Sequence, residues 1–497
     1  CRPGLCADAR GMESLDPEDW AAFRTLAHGA LDLMIDLHRN VRTEPVWTPI
    51  PPEVDARFQE GPPARGIGSA GALQDFKALV LPYRLGNIHP RFWGWAVGTG
   101  SPTGFVAAAL AAGLNPVAGV FDDSASRVEA QLLSWMKHLF DFPRQASGIL
   151  TSGGSVANLV GLAAAREARL GAERVRRGLA GGPAPTLYAS SEVHASVLKA
   201  AKLMGLGEAG VRIIPVDARF RIHIPELLTR LRRDRDEGYV PFALVGTAGT
   251  INTAAIDPLD ALADIAADEG LWFHVDGAFG AAAALPPMTR DLVAGIERAD
   301  SLAFDFHKWM HAPYEAGCVL IRDGAAHRSA FSVGAEYLRP LDRGPSRQPD
   351  SSNLKGPQLS RGFNALKVWL TLKEHGVEKF GRLVARNVEQ ARALGDLVDA
   401  SRFFVRAAPV SLNVVAFRHE SRDLGSEDAD RLNRELLMRI QEGGVALPSG
   451  TLVNGRFTLR VCLCNHRTSD EDLAIFLADA ERRVREVRRE MGLRDEP

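Results

Sequence analysis

Lys308 is the residue of this chain whose type and setting most favour covalent chemistry. It follows His307 at the end of the mainly apolar run 301–306 (SLAFDF). An amine in a partly desolvated pocket loses some preference for its charged form, and a neutral amine can form a Schiff base with an aldehyde. A lysine that caps a buried strand would show the same local pattern, so the interpretation depends on residues upstream.

An aspartate ends a second apolar run earlier in the chain. Residues 271–280 (LWFHVDGAFG) place Asp276 after a mainly apolar stretch and before small residues. This pattern is typical of a buried parallel strand whose carboxyl end opens into a site. Pyridoxal phosphate (PLP) is the common aldehyde cofactor of lysine chemistry, and a buried carboxylate would keep its pyridine nitrogen protonated. Asp276 is a candidate for that position, although it could simply cap the next turn.

Two further segments could complete such a site. Residues 149–158 (ILTSGGSVAN) pass from an apolar run through two glycines into a helical pattern. Glycines let backbone N–H groups approach an anion closely, and a helix start favours negative charge, so the segment suits a phosphate. An ordinary capped helix is the alternative. His194, near the start of another helical stretch, could stack on a cofactor ring or be a structural histidine.

Taken in order, these motifs resemble a known family. Residues 151–155 (TSGGS), His194, 249–250 (GT), 274–278 (HVDGA) and 307–308 (HK) have the order and approximate spacing seen in the PLP-dependent group II amino-acid decarboxylases. That family includes the aromatic-amino-acid, glutamate and histidine decarboxylases. The resemblance covers most of the chain and implies decarboxylation of an L-amino acid by a homodimer with a fold-type-I, PLP-dependent transferase-like architecture.

The resemblance also assigns site residues. It implies that Lys308 carries the cofactor, that Asp276 faces the ring nitrogen, that His194 stacks on the ring and that His307 orients Lys308 or assists protonation. Lys308, His194 and His307 form the expected catalytic set. The expected cofactor-binding residues are Ser152, Gly153, Gly154, Ser155, His194, Thr250, Asp276, Ala278, His307 and Lys308.

Composition supports an ordinary enzyme. The 497 residues are 46% hydrophobic and 24% charged, which is typical of a soluble globular protein of two or three lobes. The formal net charge of −2 argues against a nucleic-acid partner. No apolar run is long enough for a membrane span. The five cysteines show neither metal-ligand nor disulfide spacing, so we expect no metal and a cytoplasmic location.

The predicted organisation is α/β with four parts. Residues 1–11, before the first methionine, are expected to be a disordered or artefactual tail. Residues 12–95 form an N-terminal helical segment, which the resemblance assigns to dimer contact. Residues 96–372 alternate helices with short apolar strands, which predicts a large PLP-binding domain with a mainly parallel sheet. Within it, residues 338–360 are predicted to be a mobile loop. Residues 373–497 form a small C-terminal α/β domain.

The resemblance places substrate contacts in two segments. Residues 89–100 (HPRFWGWAVGTG) concentrate aromatic side chains, and Phe92, Trp93 and Trp95 are candidates to contact an aromatic substrate by burial and stacking. Positions in the core or at a dimer interface are equally compatible with these rings. Arg460 is expected near the substrate side of the small domain, unless it forms an ordinary ion pair at an edge strand.

One departure from the family leaves the product open. In the family a loop tyrosine is thought to protonate the carbon from which carbon dioxide has left. The last tyrosine here is Tyr337, and Ser351, Ser352 or Asn353 stands in its place. Without a good acid the carbanion could react with dioxygen to give an aldehyde, ammonia and peroxide; alternatively Tyr337 or a histidine supplies the proton. Another PLP lyase or aminotransferase activity is a third possibility.

Overall fold

The computed structural model describes residues 13–333, 341–347 and 351–493. The predicted tail 1–11 and Tyr337 therefore lie outside the described residues. The chain divides into two units, the first ending at Leu85 and the second beginning at Gly86. The predicted N-terminal segment, residues 12–95, extends about ten residues past the end of the first unit, and the four-part division stays a prediction.

Backbone pairing explains why residues 86–95 belong with the second unit. The N–H of Trp93 donates to the carbonyl of Leu447 at 2.9 Å, and the N–H of Leu447 donates to the carbonyl of Arg91 at 2.9 Å. The N–H of Cys462 donates to the carbonyl of Trp93 at 3.0 Å. These partners lie far along the chain, so the local sequence could not indicate them.

The first unit is helical. Helix α1 (Trp20–Asn40) is followed by α2 (Pro52–Arg57) and α3 (Gly68–Asp75). Asp19 caps α1, since its side chain accepts hydrogen bonds from the N–H groups of the second and third following residues.

The second unit contains a seven-stranded sheet. Its strand order is β1-β7-β6-β5-β4-β2-β3, in which β7 runs antiparallel to both neighbours and the other paired strands are parallel. This arrangement confirms the predicted mainly parallel α/β fold. The strands are β1 (Ser147–Thr151), β2 (Pro185–Ser190), β3 (Val211–Ile214), β4 (Val240–Thr247), β5 (Trp272–Asp276), β6 (Ser301–Asp305) and β7 (Gly317–Ile321).

Helices cover this sheet, and the central strands are accordingly buried along their whole length. Helix α6 packs against four of them, β4 to β7. The helices are α4 (Pro102–Leu114), α5 (Ser124–Leu139), α6 (Gly154–Leu170), α7 (Ala172–Arg177), α8 (Ala195–Leu203), α9 (Ile224–Asp236), α10 (Leu259–Asp268), α11 (Pro287–Arg290) and α12 (Gly324–Phe331).

The C-terminal part carries a four-stranded antiparallel sheet of order β10-β11-β9-β8. Its aromatic core includes Phe404 and Phe417, whose ring centroids are 5.2 Å apart. The elements are α13 (Asn364–Ala400), β8 (Phe404–Arg406), β9 (Val414–His419), α14 (Ser426–Glu442), β10 (Ser449–Val453), β11 (Arg456–Cys462) and α15 (Asp470–Glu490).

The predicted boundary between residues 372 and 373 falls inside α13. The break in that helix is at Gly376, whose φ of 69° and ψ of 156° interrupt the helical backbone. Only glycine adopts such angles readily, so Gly376 marks the bend between the two helical stretches. No helix among the described residues is long and apolar enough to cross a membrane.

Part of the predicted mobile loop 338–360 is packed. Residues Ser352–Leu354 form a short 3-10 helix, and the N–H of Ser352 donates to the carbonyl of Gly119 at 2.8 Å. Ser351 and Ser352 are both buried. Two of the three positions that the resemblance puts in place of the family's tyrosine therefore carry buried serines, and the third, Asn353, is half-buried. The mobility of this loop stays a prediction.

Candidate active site

The predicted site residues follow strands whose carboxyl ends meet at one edge of the large sheet. Strands β1, β2, β4, β5 and β6 end at Thr151, Ser190, Thr247, Asp276 and Asp305. Because these strands all point the same way, their ends bring distant parts of the chain together. The two-glycine turn, His194, Thr250, Ala278 and Lys308 follow within a few residues of those ends.

Lys308 is held by a carboxylate at the end of β6. Its Nζ lies 3.1 Å from Oδ2 of Asp305, and the lysine side chain keeps 20% exposure while the aspartate side chain keeps 1%. The amine is therefore positioned by a buried anion and still reaches solvent. Sequence reasoning missed Asp305, although its position as an acid at a strand end is the signal that identified Asp276.

His307 is oriented by the backbone. Its Nδ1 accepts the N–H of Ala316 at 3.1 Å, so the neutral ring carries its proton on Nε2. That nitrogen lies 3.6 Å from Oδ2 of Asp305. Burial lowers the pKa of His307, and the charge of Asp305 opposes this only in part. The structure thus places His307 and Lys308 around the same carboxylate.

Asp276 is fixed by hydrogen bonds at both oxygens. Its Oδ2 accepts from Nδ2 of Asn158 at 2.9 Å, and its Oδ1 accepts from the N–H of Ala278 at 3.1 Å. Asn158 also donates to Oγ of Ser196 at 2.9 Å. Since Asp276 is only 4% exposed, these bonds are what make a buried anion tolerable there.

Behind Asn158 the hydrogen bonds continue through a buried histidine. Oδ1 of Asn158 lies 2.9 Å from Nε2 of His274, and Nδ1 of His274 lies 2.8 Å from Oγ of Ser301, which also accepts from Nε1 of Trp272 at 2.8 Å. Because the amide hydrogens of Asn158 point elsewhere, its oxygen must accept, and Nε2 of His274 carries the proton. Burial lowers the pKa of His274 to about 4, so the ring is neutral at neutral pH.

This chain of hydrogen bonds was not predicted. The sequence identified His274 only as part of the 274–278 motif, and Asn158 only as the last residue of the segment 149–158. The one local signal was a polar side chain within a buried apolar strand. Helix α6 can approach His274 because Gly161 has no side chain: a Cβ there would lie 2.8 Å from the imidazole.

The two-glycine turn suits an anion. Helix α6 has 17 residues and begins at Gly154, with Gly153 as N-cap and no side-chain hydrogen bond at that end. A Cβ on Gly154 would lie 2.8 Å from Cβ of Ala278, and one on Gly153 would lie 3.1 Å from Cε1 of His307. Glycine is therefore required here, and the first N–H groups of a long helix stay available to a phosphate. Ser152 is half-buried beside them.

His194 and Thr250 have different surroundings. His194 immediately precedes α8, and its Nδ1 accepts the N–H of Ser196 at 3.2 Å. Partial burial lowers its pKa, and Asp276 and Lys308 act on it with opposite sign. Thr250 is 1% exposed, and its Oγ1 accepts the N–H of Ala255 at 3.1 Å. The described contacts of Thr250 stabilise the turn that follows β4.

The structure corrects two of the substrate predictions. Trp93 is 1% exposed, donates from Nε1 to Oγ1 of Thr468 at 3.0 Å and packs against Phe476 with ring centroids 5.4 Å apart. Phe92 is 2% exposed and pairs through its backbone with Leu447. Both rings belong to the core because this segment runs beside the small sheet. The core alternative was therefore correct for them, whereas Trp95 remains 48% exposed.

Arg460 is buried rather than paired at the surface. It is 2% exposed, and its Nη1 donates to the carbonyl of Trp95 at 2.6 Å. Its Nε and Nη2 have no hydrogen-bond partner among the described residues. A buried guanidinium with free donors is costly unless an anion completes it, so this residue is suited to hold a carboxylate.

These features fit PLP. An amine at a strand end, a buried carboxylate fixed from behind and an uncapped helix start match the aldehyde, pyridine nitrogen and phosphate of that cofactor. The described residues contain no cluster of His, Cys, Asp and Glu suited to a metal ion. Fold and site together define a fold-type-I PLP-dependent enzyme.

Comparisons with known proteins agree. The family described as the pyridoxal-dependent decarboxylase conserved domain matches residues 73–420, and the chain belongs to that family. It is 32% identical over 454 residues to an aromatic-L-amino-acid decarboxylase of Bacillus atrophaeus, covering 90% of this chain and 93% of that protein. It is 30% identical over 474 residues to tryptophan decarboxylase 1 of Oryza sativa subsp. japonica, covering 90% and 91%.

A solved structure extends the likeness to three dimensions. The crystal structure of Oryza sativa TDC with PLP and tryptamine superposes with a TM-score of 0.87 at 26% identity, covering 95% of this chain and 99% of that one. The protein is therefore a PLP-dependent carboxy-lyase that acts on an amino acid. When bound, PLP supplies the electron sink that stabilises a carbanion.

Proposed function

We propose that this enzyme decarboxylates an aromatic L-amino acid to the corresponding amine. The observation that carries the proposal is the pair of fixed groups at the sheet edge. The Lys308 amine lies 3.1 Å from Asp305, and the Asp276 carboxylate lies 2.9 Å from Asn158. The names of the aromatic-amino-acid and tryptophan decarboxylases among its relatives support the substrate class.

Each side chain has a distinct task in this proposal. Lys308 would hold PLP through its side-chain amine, which Asp305 keeps in place. Asp276 keeps a proton on the ring nitrogen, and the α6 start with Ser152 and Ser155 holds the phosphate. His194 would cover the cofactor ring. Ala278 lies beside the two-glycine turn, and its Cβ is close to Gly154.

The small-domain side would orient the substrate. Arg460 offers two free donors, Nε and Nη2, which would hold and orient the α-carboxylate of the substrate. Trp95 is held by its backbone, since its N–H donates to Oγ of Ser449 at 3.1 Å and its carbonyl accepts from Arg460. Its exposed indole offers a face on which an aromatic side chain can stack.

Two further expectations belong to the same proposal. The resemblance implies a homodimer. The cysteine pattern favours the cytoplasm, and the buried Cys318, Cys462 and Cys464 are free thiols. Sedimentation of the purified protein tests the first expectation: a single species of twice the chain mass supports it, and a monomer that retains full activity contradicts it.

An aldehyde product is the second candidate. It is favoured by the buried serines at 351 and 352, which cannot supply the acid that a loop tyrosine would. The purified enzyme, loaded with PLP, is incubated in air with separate aromatic, acidic and aliphatic L-amino acids. Amine and carbon dioxide from the aromatic ones support the proposal. Aldehyde with peroxide supports the second candidate, and a keto acid contradicts both.

A further inference from the structure

The chain has few tyrosines that could replace the missing loop acid. Its five tyrosines are at positions 83, 188, 239, 314 and 337, and residues 338–360 contain none. The hydroxyl of Tyr188 is engaged with Asp234 at 2.6 Å, and the ring of Tyr239 lies under the guanidinium of Arg212 at 4.4 Å. Both belong to a buried ion-pair cluster with α9. Tyr83 belongs to the first unit and Tyr337 lies outside the described residues. Tyr314 follows Lys308 by six positions and is the described tyrosine considered next.

Tyr314 lies directly against the active-site histidine. Its ring centroid is 4.2 Å from that of His307, with 35° between the planes. Its phenol oxygen accepts the backbone N–H of Gly98 at 3.3 Å. Nevertheless 49% of the residue is exposed. The ring is thus fixed on one face and at its tip, while the hydroxyl hydrogen is not used in the contact with Gly98.

Gly98 connects the phenol to the catalytic lysine. A Cβ on Gly98 would lie 1.8 Å from the carbonyl oxygen of His307 and 2.5 Å from that of Lys308, so only glycine fits there. The backbone that donates to the Tyr314 hydroxyl therefore also touches the backbone of Lys308. The Tyr314 hydroxyl and the backbone of Lys308 thus contact the same glycine.

The local electrostatics suit a proton donor. Desolvation raises the pKa of Tyr314 to about 12, and Cys464, Asp305 and Cys462 add to this. The phenol is therefore protonated at neutral pH. The N–H of Gly98 acts in the other direction, because it stabilises the phenolate that proton donation leaves behind.

We propose that Tyr314 gives the proton to the substrate carbon from which carbon dioxide has left. The inference rests on the proposed decarboxylation. As the bond to the carboxylate breaks, its electron pair stays on the carbon; that pair then takes the phenol hydrogen, forming a C–H bond, and the phenolate regains a proton from water. No oxidant is consumed, and the products are the amine and carbon dioxide.

Three matched variants test this proposal: Tyr314→Phe, Tyr337→Phe and Tyr239→Phe. Each is titrated with PLP by absorbance and then incubated in air with the aromatic amino acid that the parent enzyme uses; amine, carbon dioxide, aldehyde and peroxide are measured. Tyr314→Phe is expected to bind PLP and release carbon dioxide, but to form amine about 10²–10⁴-fold more slowly, with aldehyde and peroxide making up the difference. The other two variants are expected to match the parent.

Several outcomes would overturn the assignment. An unchanged ratio of amine to carbon dioxide in Tyr314→Phe would do so, as would the same loss in Tyr337→Phe instead. If the parent enzyme forms no carbon dioxide, the proposed decarboxylation itself is contradicted. That result is distinct from a failure of the Tyr314 assignment. If Tyr314→Phe fails to bind PLP, 3-fluorotyrosine placed only at position 314 decides the matter.

That analogue keeps the ring and the contact with Gly98 but makes the phenol more acidic. Its other neighbours, His307, Asp305, Cys462 and Cys464, are unchanged. The rate of amine formation falls at high pH when the proton donor becomes deprotonated. With the more acidic analogue, this fall is expected at a lower pH than in the parent enzyme. If the rate of amine formation falls at the same pH in both enzymes, the proposal is overturned.

Discussion

At the scale of single residues, Asp276 shows what a buried catalytic carboxylate requires. It accepts one hydrogen bond from Asn158 and one from the N–H of Ala278, and its side chain is almost entirely removed from water. Behind it, the neutral His274 fixes which way the Asn158 amide points. The anion is thus satisfied without a positive partner, which leaves its charge available to a protonated ring nitrogen.

Asn158→Leu is expected to weaken PLP binding. The substitution keeps a similar volume but leaves Oδ2 of Asp276 and Nε2 of His274 without their hydrogen-bond partner and removes one bond from Ser196. An unsatisfied buried group costs about 1–3 kcal/mol. The dissociation constant for PLP, measured by equilibrium dialysis, should rise about 5- to 150-fold. Ser196→Ala, which leaves the bond to Asp276 intact, should have a smaller effect. Equal effects of the two variants would contradict this role.

Lys308→Ala is expected to abolish covalent capture of PLP. The amine of Lys308 is the one that reaches the edge of the site beside Asp305. Borohydride reduction followed by mass analysis should show cofactor attached to the parent enzyme and none attached to the variant. Lys367→Ala is the comparison, because that buried lysine has its pKa lowered to about 8 by desolvation. Retention of the adduct by Lys308→Ala would refute the assignment.

At the scale of elements, the site exists because strands and one helix converge. Five strand ends bring Lys308, Asp276 and the turn before α6 to one edge of the sheet. Helix α6 can pack closely against the sheet because Gly161 has no side chain. The start of α6 is free of a side-chain cap, so its dipole and its N–H groups are directed at the same region.

Gly154→Ala is expected to impair phosphate binding at that helix start. The new methyl group would lie 2.8 Å from Cβ of Ala278 and 3.0 Å from Oδ2 of Asp305, so the turn or its neighbours must shift. Overpacking of this kind costs about 1–3 kcal/mol. Titration with PLP should show weaker binding than in the parent. Gly113→Ala in α4, where nothing lies within 4 Å of the added methyl, should bind PLP normally.

At the scale of the whole molecule, neutral buried histidines make folding sensitive to acid. Burial lowers the pKa of His274 to about 4 and that of His466 to about 3, and it lowers the pKa of His311 well below its ordinary value. The rings of His311 and His466 lie in contact, with centroids 4.9 Å apart. Each of these groups binds a proton more readily in the unfolded chain than in the folded one.

The free energy of unfolding is therefore expected to fall as the pH drops below the unfolded pKa of 6.5. The loss from His274 continues until the pH reaches its folded pKa of about 4. For this group alone the loss between pH 7 and pH 5 is about 2 kcal/mol. Urea unfolding at both pH values tests this. His274→Gln, which cannot titrate, should lose about 2 kcal/mol less over the same interval; an identical loss in both proteins would contradict the prediction.

The linear sequence was sufficient for the class of fold and for the central chemistry. Alternating helical and apolar segments predicted a mainly parallel sheet, and strand-end positions singled out Lys308, Asp276 and the glycines before α6. These signals are local: a buried strand needs an apolar run, and its end marks where a polar group can meet a ligand. Their order along the chain then carried the resemblance to the decarboxylases.

Tertiary structure alone decided the contacts that join distant segments. It placed Trp93 in the core beside Phe476 and ended the first unit at Leu85. It also brought Asn158 into contact with Asp276, and Tyr314 into contact with Gly98. In each case the partners are separated by many residues, so neither periodicity nor a short motif carries the information. Burial and hydrogen-bond satisfaction, which select these pairs, are properties of the folded chain and not of any one stretch of it.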